Sequence, residues 1–273
     1  MNVLVYVGPA PSREQLLPYC APIVQTLAST VCLLVPEGTK NEELFQQALD
    51  ILQIPSHIPI TKISRAGNAQ NAILTAVSER LYDLVIMGHL ERPLRRFWPI
   101  GRSDALAQEI EPSVLRVQGE LRPIRSILLA SGGNEHTMLD AKMAQRFAQA
   151  LGAKVTLLHV MSQQAVVFEG IPNAKADKPL LSTPPHTEEL DMLNKAQAWL
   201  SEQQIESTVK VRYGAVMNEV LEEIQAGPHD LLVSGAHLAY SILDRLLIED
   251  ISSGLLAASP VPVVIVRGTR RIP

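Results

Sequence analysis

Asp83-Leu-Val-Ile-Met-Gly88 and Asp230-Leu-Leu-Val-Ser-Gly235 are one segment written twice. Each follows an amphipathic helical pattern, and before that stands Arg65-Ala-Gly67 or Arg212-Tyr-Gly214. The offset is 147 at every matched position (212 − 65, 214 − 67, 230 − 83, 235 − 88). A constant offset through a turn, a helix and a strand predicts two copies of one supersecondary plan. The period is far too long for a solenoid, so each copy is expected to be a domain.

Working outward from the first copy, Val3 to Val7 reads as a buried strand stopped by Gly8-Pro9. Ser12 is the expected N-cap of a helix with Leu16, Leu17, Cys20, Ile23, Val24 and Leu27 on one stripe. Pro18 and Pro22 are expected to bend or shorten it. Strands follow at Val31 to Val35, Ile58 to Ile63, Leu84 to Met87 and Val114 to Val117. Helices are expected at Asn41 to Leu52, Asn68 to Arg80 and, after a long loop, near Ser103 to Ile110. The second copy gives strands at Ile127 to Ser131, Val155 to Val160, Thr208 to Tyr213, Leu231 to Ser234 and Val263 to Val266. Its expected helices are His136 to Leu151, Met217 to Gln225 and Asp250 to Ala257. Strands apolar throughout and alternating with helices predict a parallel sheet covered on both faces. The domains are expected at 1–118 and 125–273, joined by the linker 119–124. The first strands differ by 124 (127 − 3), which leaves 147 − 124 = 23 extra residues in the second copy. They fall in 161–187, read as an insertion that is a lid, an interaction loop or a plain surface loop. The last strand of each half is expected to form the seam between the halves, where edge strands need cover.

Bulk properties narrow the function. The chain has 273 residues, 47% hydrophobic and 19% charged, enough for two cores. A formal charge of −4 argues against a general nucleic-acid binder. Cys20 and Cys32 lack metal or redox spacing. No basic start marks a signal peptide, and no apolar run reaches the ~20 residues needed for a membrane span. The expectation is a cytoplasmic protein.

At the paired Asp-to-Gly segments the chain resembles a tandem universal stress protein. Leu157-Leu-His-Val160 is similar to the family's second strand. Leu246-Leu-Ile with Ile251-Ser-Ser is similar to the segment leading its last helix, and Pro262-Val-Val-Ile-Val266 to its last strand. The resemblance spans roughly Val3 to Gln118 and Arg125 to Arg267. It implies two tandem open five-stranded parallel sheets with helices on both faces, a Rossmann-like fold of the adenine nucleotide alpha hydrolase-like kind. It also implies pairing of the two halves within the chain. Many members bind ATP at the carboxyl edge of the sheet.

That site needs glycines for close backbone approach and a helix N-terminus to face the phosphates. The family pattern supplies an acid after the first strand, Gly-x-x-Gly after the fourth, and a later Gly followed by Ser or Thr. Here Gly8 and Gly132 stand where the acid belongs. Gly88 and Gly235 keep the first glycine of the pair. The second is Glu91 in one copy and Leu238 or Ala239 in the other. The later pair is Gly101-Arg102, followed by Ser103, in the first copy and Glu249-Asp250 in the second, where two carboxylates oppose a triphosphate. Arg92, Arg95, Arg96 and Arg102 beside Gly101 and Ser103 make an anion cradle in the first copy, with Phe97 or Trp98 to stack on a base. The preferred, plainer reading of the same residues is a solvated face with aromatics plugging the interface between the halves. His89 and His237, just past strand ends, are candidate contacts, as is Val160 at the end of the family-like second strand. Gly132-Gly133 and Gly67-Asn68 allow close approach of an adenine or a partner, or serve as turns.

His159 is expected to hydrogen-bond within the sheet. Glu222 and Glu223 are read as a solvated face, and the isolated serines as turn and cap residues. No metal site is supported. The expected function is therefore a non-catalytic binding or signalling module of the stress-protein type with a degenerate nucleotide site and no required cofactor. The rivals are an ATP- or AMP-binding switch using the arginine loop, a sensor of another small molecule in the second cleft, and an adenylating enzyme, which the missing glycines and acid disfavour. Further homodimerisation and an unidentified protein partner remain open partners.

Overall fold

Ten strands make one sheet in the order β3-β2-β1-β4-β5-β10-β9-β6-β7-β8. The computed structural model describes residues 1–9, 11–38, 40–88, 110–132, 136–161, 187–235, 251–252 and 254–268. The first five strands are β1 Asn2–Tyr6, β2 Thr30–Pro36, β3 Ile60–Arg65, β4 Leu84–Met87 and β5 Ser113–Arg116. The others are β6 Ser126–Ser131, β7 Lys154–Met161, β8 Ser207–Tyr213, β9 Leu231–Gly235 and β10 Val263–Val266. Helices α1 Ser12–Leu27, α2 Asn41–Leu52 and α3 Ala69–Glu79 belong to the first five strands. Helices α4 Thr137–Leu151, α5 Thr187–Glu202 and α6 Val216–Ala226 belong to the second. Residues 251–252 and 254–258 are also helical.

Each run of five strands has the same internal order, and all pairings within a run are parallel. The expected two five-stranded sheets are therefore joined into one. The joint is the single antiparallel pair, β10 against β5, with Val263 opposite Arg116 and Ile265 opposite Val114. Both strands are buried along their whole length. One apolar cluster, fed by α1, α2, α4 and α5, fills one face of the sheet across both halves. A second, fed by α3, α6 and Leu255 and Leu256, fills the other. Helices α1 and α4, one from each half, pack on each other.

The segment after β5 is hydrogen-bonded to the second half. Gln118 Nε2 donates to the Leu256 carbonyl at 2.8 Å, and the Glu120 amide donates to the Pro260 carbonyl at 2.8 Å. Gly119 has φ +66°, and a Cβ there would lie 2.1 Å from the Pro260 oxygen. Only glycine fits that crossing.

Four sequence expectations are corrected. Pro18 and Pro22 lie inside an unbroken sixteen-residue α1. They are four apart and both exposed, so the carbonyls they leave unpaired face water instead of the core. Ser12 is the first helical residue, and the cap position is Pro11 with no side-chain cap. Helix α5 was not anticipated from the sequence, although Leu193, Ala196 and Leu200 form a buried stripe at helical spacing. The outer strands β3 and β8 are not buried throughout; they alternate exposed and half-buried positions and carry Lys62 and Lys210 outward, as sheet edges require. The expected helix near 103–110 and the insertion lie outside the described residues.

The repeated aspartate has a structural role. Asp83 Oδ2 accepts the Asn2 amide at 2.6 Å, and Asp230 Oδ2 accepts the amides of Arg125 and Ser126 at 2.9 and 3.0 Å. Each aspartate also donates its own amide to the first strand, to the Asn2 carbonyl at 2.9 Å or the Ser126 carbonyl at 2.8 Å. The carboxylate thus pins the fourth strand of a half to the start of its first. Asp230 is buried and serves two donors, so Asp230→Ala is expected to cost about 2–3 kcal/mol in urea unfolding and Asp83→Ala less, about 1 kcal/mol. Equal costs would show that burial of the donors does not set the difference.

Candidate ligand cleft

Strand order reverses between β1 and β4 and again between β6 and β9. Crevices at such reversals, beyond the carboxyl ends of the strands, are where open α/β sheets bind ligands. In the first half, Gly8 follows β1 and Gly88 follows β4. Both are buried. A Cβ on Gly88 would lie 2.2 Å from Ser12 Oγ and 3.4 Å from Leu16 Cδ1. The missing side chain lets the first turn of α1 sit directly over the end of β4. A Cβ on Gly8 would meet the Tyr6 ring at 3.0 Å. His89, Arg95, Arg96, Gly101, Arg102 and Ser103 lie outside the described residues.

In the second half, Gly132 is exposed just after β6, Val160 is buried near the end of β7, and Gly235 closes β9 half-buried. Gly133 and His237 lie outside the described residues. The polar groups between them answer one another. Ser131 Oγ and Thr137 Oγ1 are 2.8 Å apart, joining the end of β6 to the first turn of α4. His159 Nδ1 is 3.0 Å from the Ser131 carbonyl, the in-sheet bond expected for it. Its Nε2 faces Glu189 Oε2, on the first turn of α5, at 3.4 Å. Thr137, His159 and Ser131 are all buried. A carboxylate therefore stands near the end of β7.

Gly67 and Gly214 are turn residues, with φ +97° and +152°. Asn68 caps α3 by accepting the Asn71 amide at 2.9 Å.

The largest departure from the sequence reading is at the opposite edge of the second half. Glu223, taken for a solvated residue, is 4% exposed. Its Oε1 accepts from Lys210 Nζ at 2.6 Å and lies 3.2 Å from His229 Nε2; its Oε2 accepts from Arg212 at 3.2 Å. Arg212 also donates to Glu219 at 2.6 Å and Glu222 at 2.9 Å. His229 is buried, with Nδ1 3.3 Å from Ser126 Oγ. Burial alone would raise the Glu223 pKa, but the hydrogen bonds from Lys210, His229 and Arg212 hold it below the usual carboxylate value. Sequence reasoning missed His229. A usable signal was its place at offset 147 from Tyr82, a titratable ring where the first copy has a phenol. Beside this network, a 470 Å³ open depression is lined by Arg122, Arg125, Lys154, Ser126 and Asp230, at the amino ends of the strands. No group of three or more metal-ligating side chains occurs among the described residues.

If Gly88 serves packing, Gly88→Ala is expected to lower stability by about 1–3 kcal/mol through the clash with Ser12 Oγ. Adding Ser12→Ala should recover most of that loss, because the remaining neighbours of the new methyl stand at ordinary contact distance. Thermal unfolding of the two single variants and the double variant checks this; losses that simply add would mean the glycine is needed for something other than α1.

The structure aligns with that of a universal stress protein from Archaeoglobus fulgidus over 98% of this chain and 97% of that one, with TM-score 0.67 and 14% identity. It aligns with one from Pseudomonas aeruginosa over 97% and 92%, with TM-score 0.70 and 18% identity. The cytoplasmic domain of a prokaryotic cation chloride cotransporter aligns over 97% and 94%, with TM-score 0.56 and 11% identity. At these identities the likeness is one of fold: a large, mostly parallel sheet layered with helices. No curated protein sequence matches the chain. The model of the universal stress protein family matches residues 123–267, more than half of the chain. With its second half matched to that model and its whole length carrying the fold, the chain belongs to the universal stress protein family.

Proposed function

We propose that this protein is a tandem universal stress protein, two copies of the domain fused in one chain, that works as a non-catalytic binding or signalling module. The observation that carries this reading is the state of the second-half cleft. Its buried Ser131 and Thr137 hydroxyls are hydrogen-bonded to each other, its His159 imidazole bonds to the Ser131 backbone carbonyl, and the carboxylate of Glu189 faces that imidazole. A triphosphate needs unengaged backbone donors and positive charge at that edge. Here the glycine of the first half is occupied by α1 packing, and Gly8 after β1 and Gly132 after β6 offer no carboxylate to orient a ribose. Neither cleft brings together a nucleophile, a base and an oxyanion donor among the described residues, so the reading is recognition without turnover. Fusion supports it: a short connection holds the two halves at high effective concentration and makes a homodimer-like pairing permanent. No helix among the described residues is long and apolar enough to cross a membrane, which fits the cytoplasmic location we assign.

A second reading, an ATP- or AMP-binding switch, rests on the four arginines of the 92–102 segment beside Gly101. Mass spectrometry of small molecules released from denatured, freshly purified protein separates the two. The module reading expects no nucleotide near one per chain and ATP hydrolysis at background. Stoichiometric ATP or AMP that disappears in the Arg95→Ala/Arg96→Ala variant would establish the switch instead. Turnover traceable to one side chain would end the non-catalytic reading.

A further inference from the structure

We propose that Ser126, His229 and Glu223 form an acid-sensitive latch that holds α6 against the sheet of the second half and releases it as pH falls. The three side chains are linked in series at 3.3 and 3.2 Å and are 2%, 5% and 4% exposed. They tie the carboxyl-terminal part of α6 to the first residue of β6. The carboxylate of Glu223 accepts and cannot donate, so His229 Nε2 carries its proton toward it. The neutral ring then has only Nδ1 left as an acceptor, and Ser126 Oγ donates to it. Every bond of the series is satisfied with the ring neutral. Protonation at Nδ1 turns that acceptor into a second donor and forces the Ser126 hydroxyl to reverse, inside a site with almost no water.

The charges around the ring come from each neighbouring element. Helix α6 supplies Glu223, strand β8 supplies Lys210 and, through Glu223, Arg212, strand β6 supplies Ser126, and Asp230 precedes β9. A Cβ on Gly227 would lie 2.6 Å from His229 Nε2, so the turn closes over the ring as well. Glu223 cannot fully offset a cationic ring, because its two oxygens are already engaged by Lys210 and Arg212. Burial pushes the His229 pKa below the ordinary imidazole value, against the smaller upward pull of Glu223. The contribution to stability is therefore complete above about pH 6.5 and is lost as pH falls toward the folded-state value. Glu223, held below its usual value, stays ionised through that window.

Among the described residues, the first half shows no such device. At offset 147 it carries Tyr82 for His229, Ala76 for Glu223 and Ile63 for Lys210. Its α3 is therefore a built-in reference for α6. The amino end of α6 follows the Tyr213-Gly214 turn at the carboxyl edge of the sheet, beside the candidate cleft. Release of α6 would loosen that edge, so the latch deepens the binding-module reading by making the cleft pH-dependent.

Hydrogen exchange followed by mass spectrometry on the full chain tests the latch without any ligand, so its failure is separate from failure of the binding reading. Between pH 7.5 and 5.5, after correction for intrinsic exchange, α6 is expected to lose up to about tenfold in protection, while α3 and α5 do not. His229→Gln keeps a donor and an acceptor but does not titrate, and should abolish the change; Ser126→Ala, which leaves the His229–Glu223 pair in place, should shrink it. An unchanged ratio of α6 to α3, equal loss in α5 and α6, or full pH dependence in His229→Gln would each overturn the proposal.

Discussion

Strands β5 and β10 carry Val114, Leu115, Val263, Val264, Ile265 and Val266 with no residue exposed. Each is the terminal strand of a five-stranded parallel run, and such a strand left open presents unpaired amides and carbonyls on an apolar ribbon. Antiparallel pairing removes both edges at once and makes one sheet of ten strands. The rest of the architecture follows from that joint. It brings α1 against α4 on one face, lets each apolar cluster run through both halves, and sets Gly119 across Pro260 with no room for a side chain. Among the described residues, the outermost strands β3 and β8 remain as edges, and these carry lysines.

Antiparallel pairing at the seam also directs the strands of the two halves oppositely, so their carboxyl ends open on opposite edges of the shared sheet. Each edge therefore presents the crevice of one half beside the strand starts of the other. The strand starts are closed by Asp83 or Asp230, and in the second half they also hold the buried Glu223–His229 network. Burying a carboxylate is costly unless it is paired and hydrogen-bonded, and here Lys210 and Arg212 engage the buried Glu223 while Glu219 and Glu222 hold Arg212 in place. The halves thus share a fold but differ in chemistry: the first half seals the equivalent position with Ala76 and Tyr82, the second with titratable groups.

The resemblance to stress proteins is clearer in the second half, where the family model matches, than in the first. Yet the fold likeness covers nearly the whole chain. Apolar patterning and strand order persist under substitution because many residues of similar size satisfy a core. Ligand contacts depend on single residues, which the fold alone does not fix.

By itself the sequence determined the α/β class, the internal repeat, nine of the ten strands to within one residue at each end, and the seam, because local apolar periodicity and a constant offset report these directly. Strand β3 also appeared, two residues later than expected. The reading of Gly8 and Gly132 as positions without the family's acid rests on the sequence alone. Tertiary structure decided what could not be counted along the chain. It turned Asp83 and Asp230 into clamps, made Gly88 a seat for Ser12, kept α1 whole through two prolines and buried Glu223 against His229. Each of these depends on which side chain from a distant element arrives within about 3 Å, and residue type alone carries no record of that neighbour.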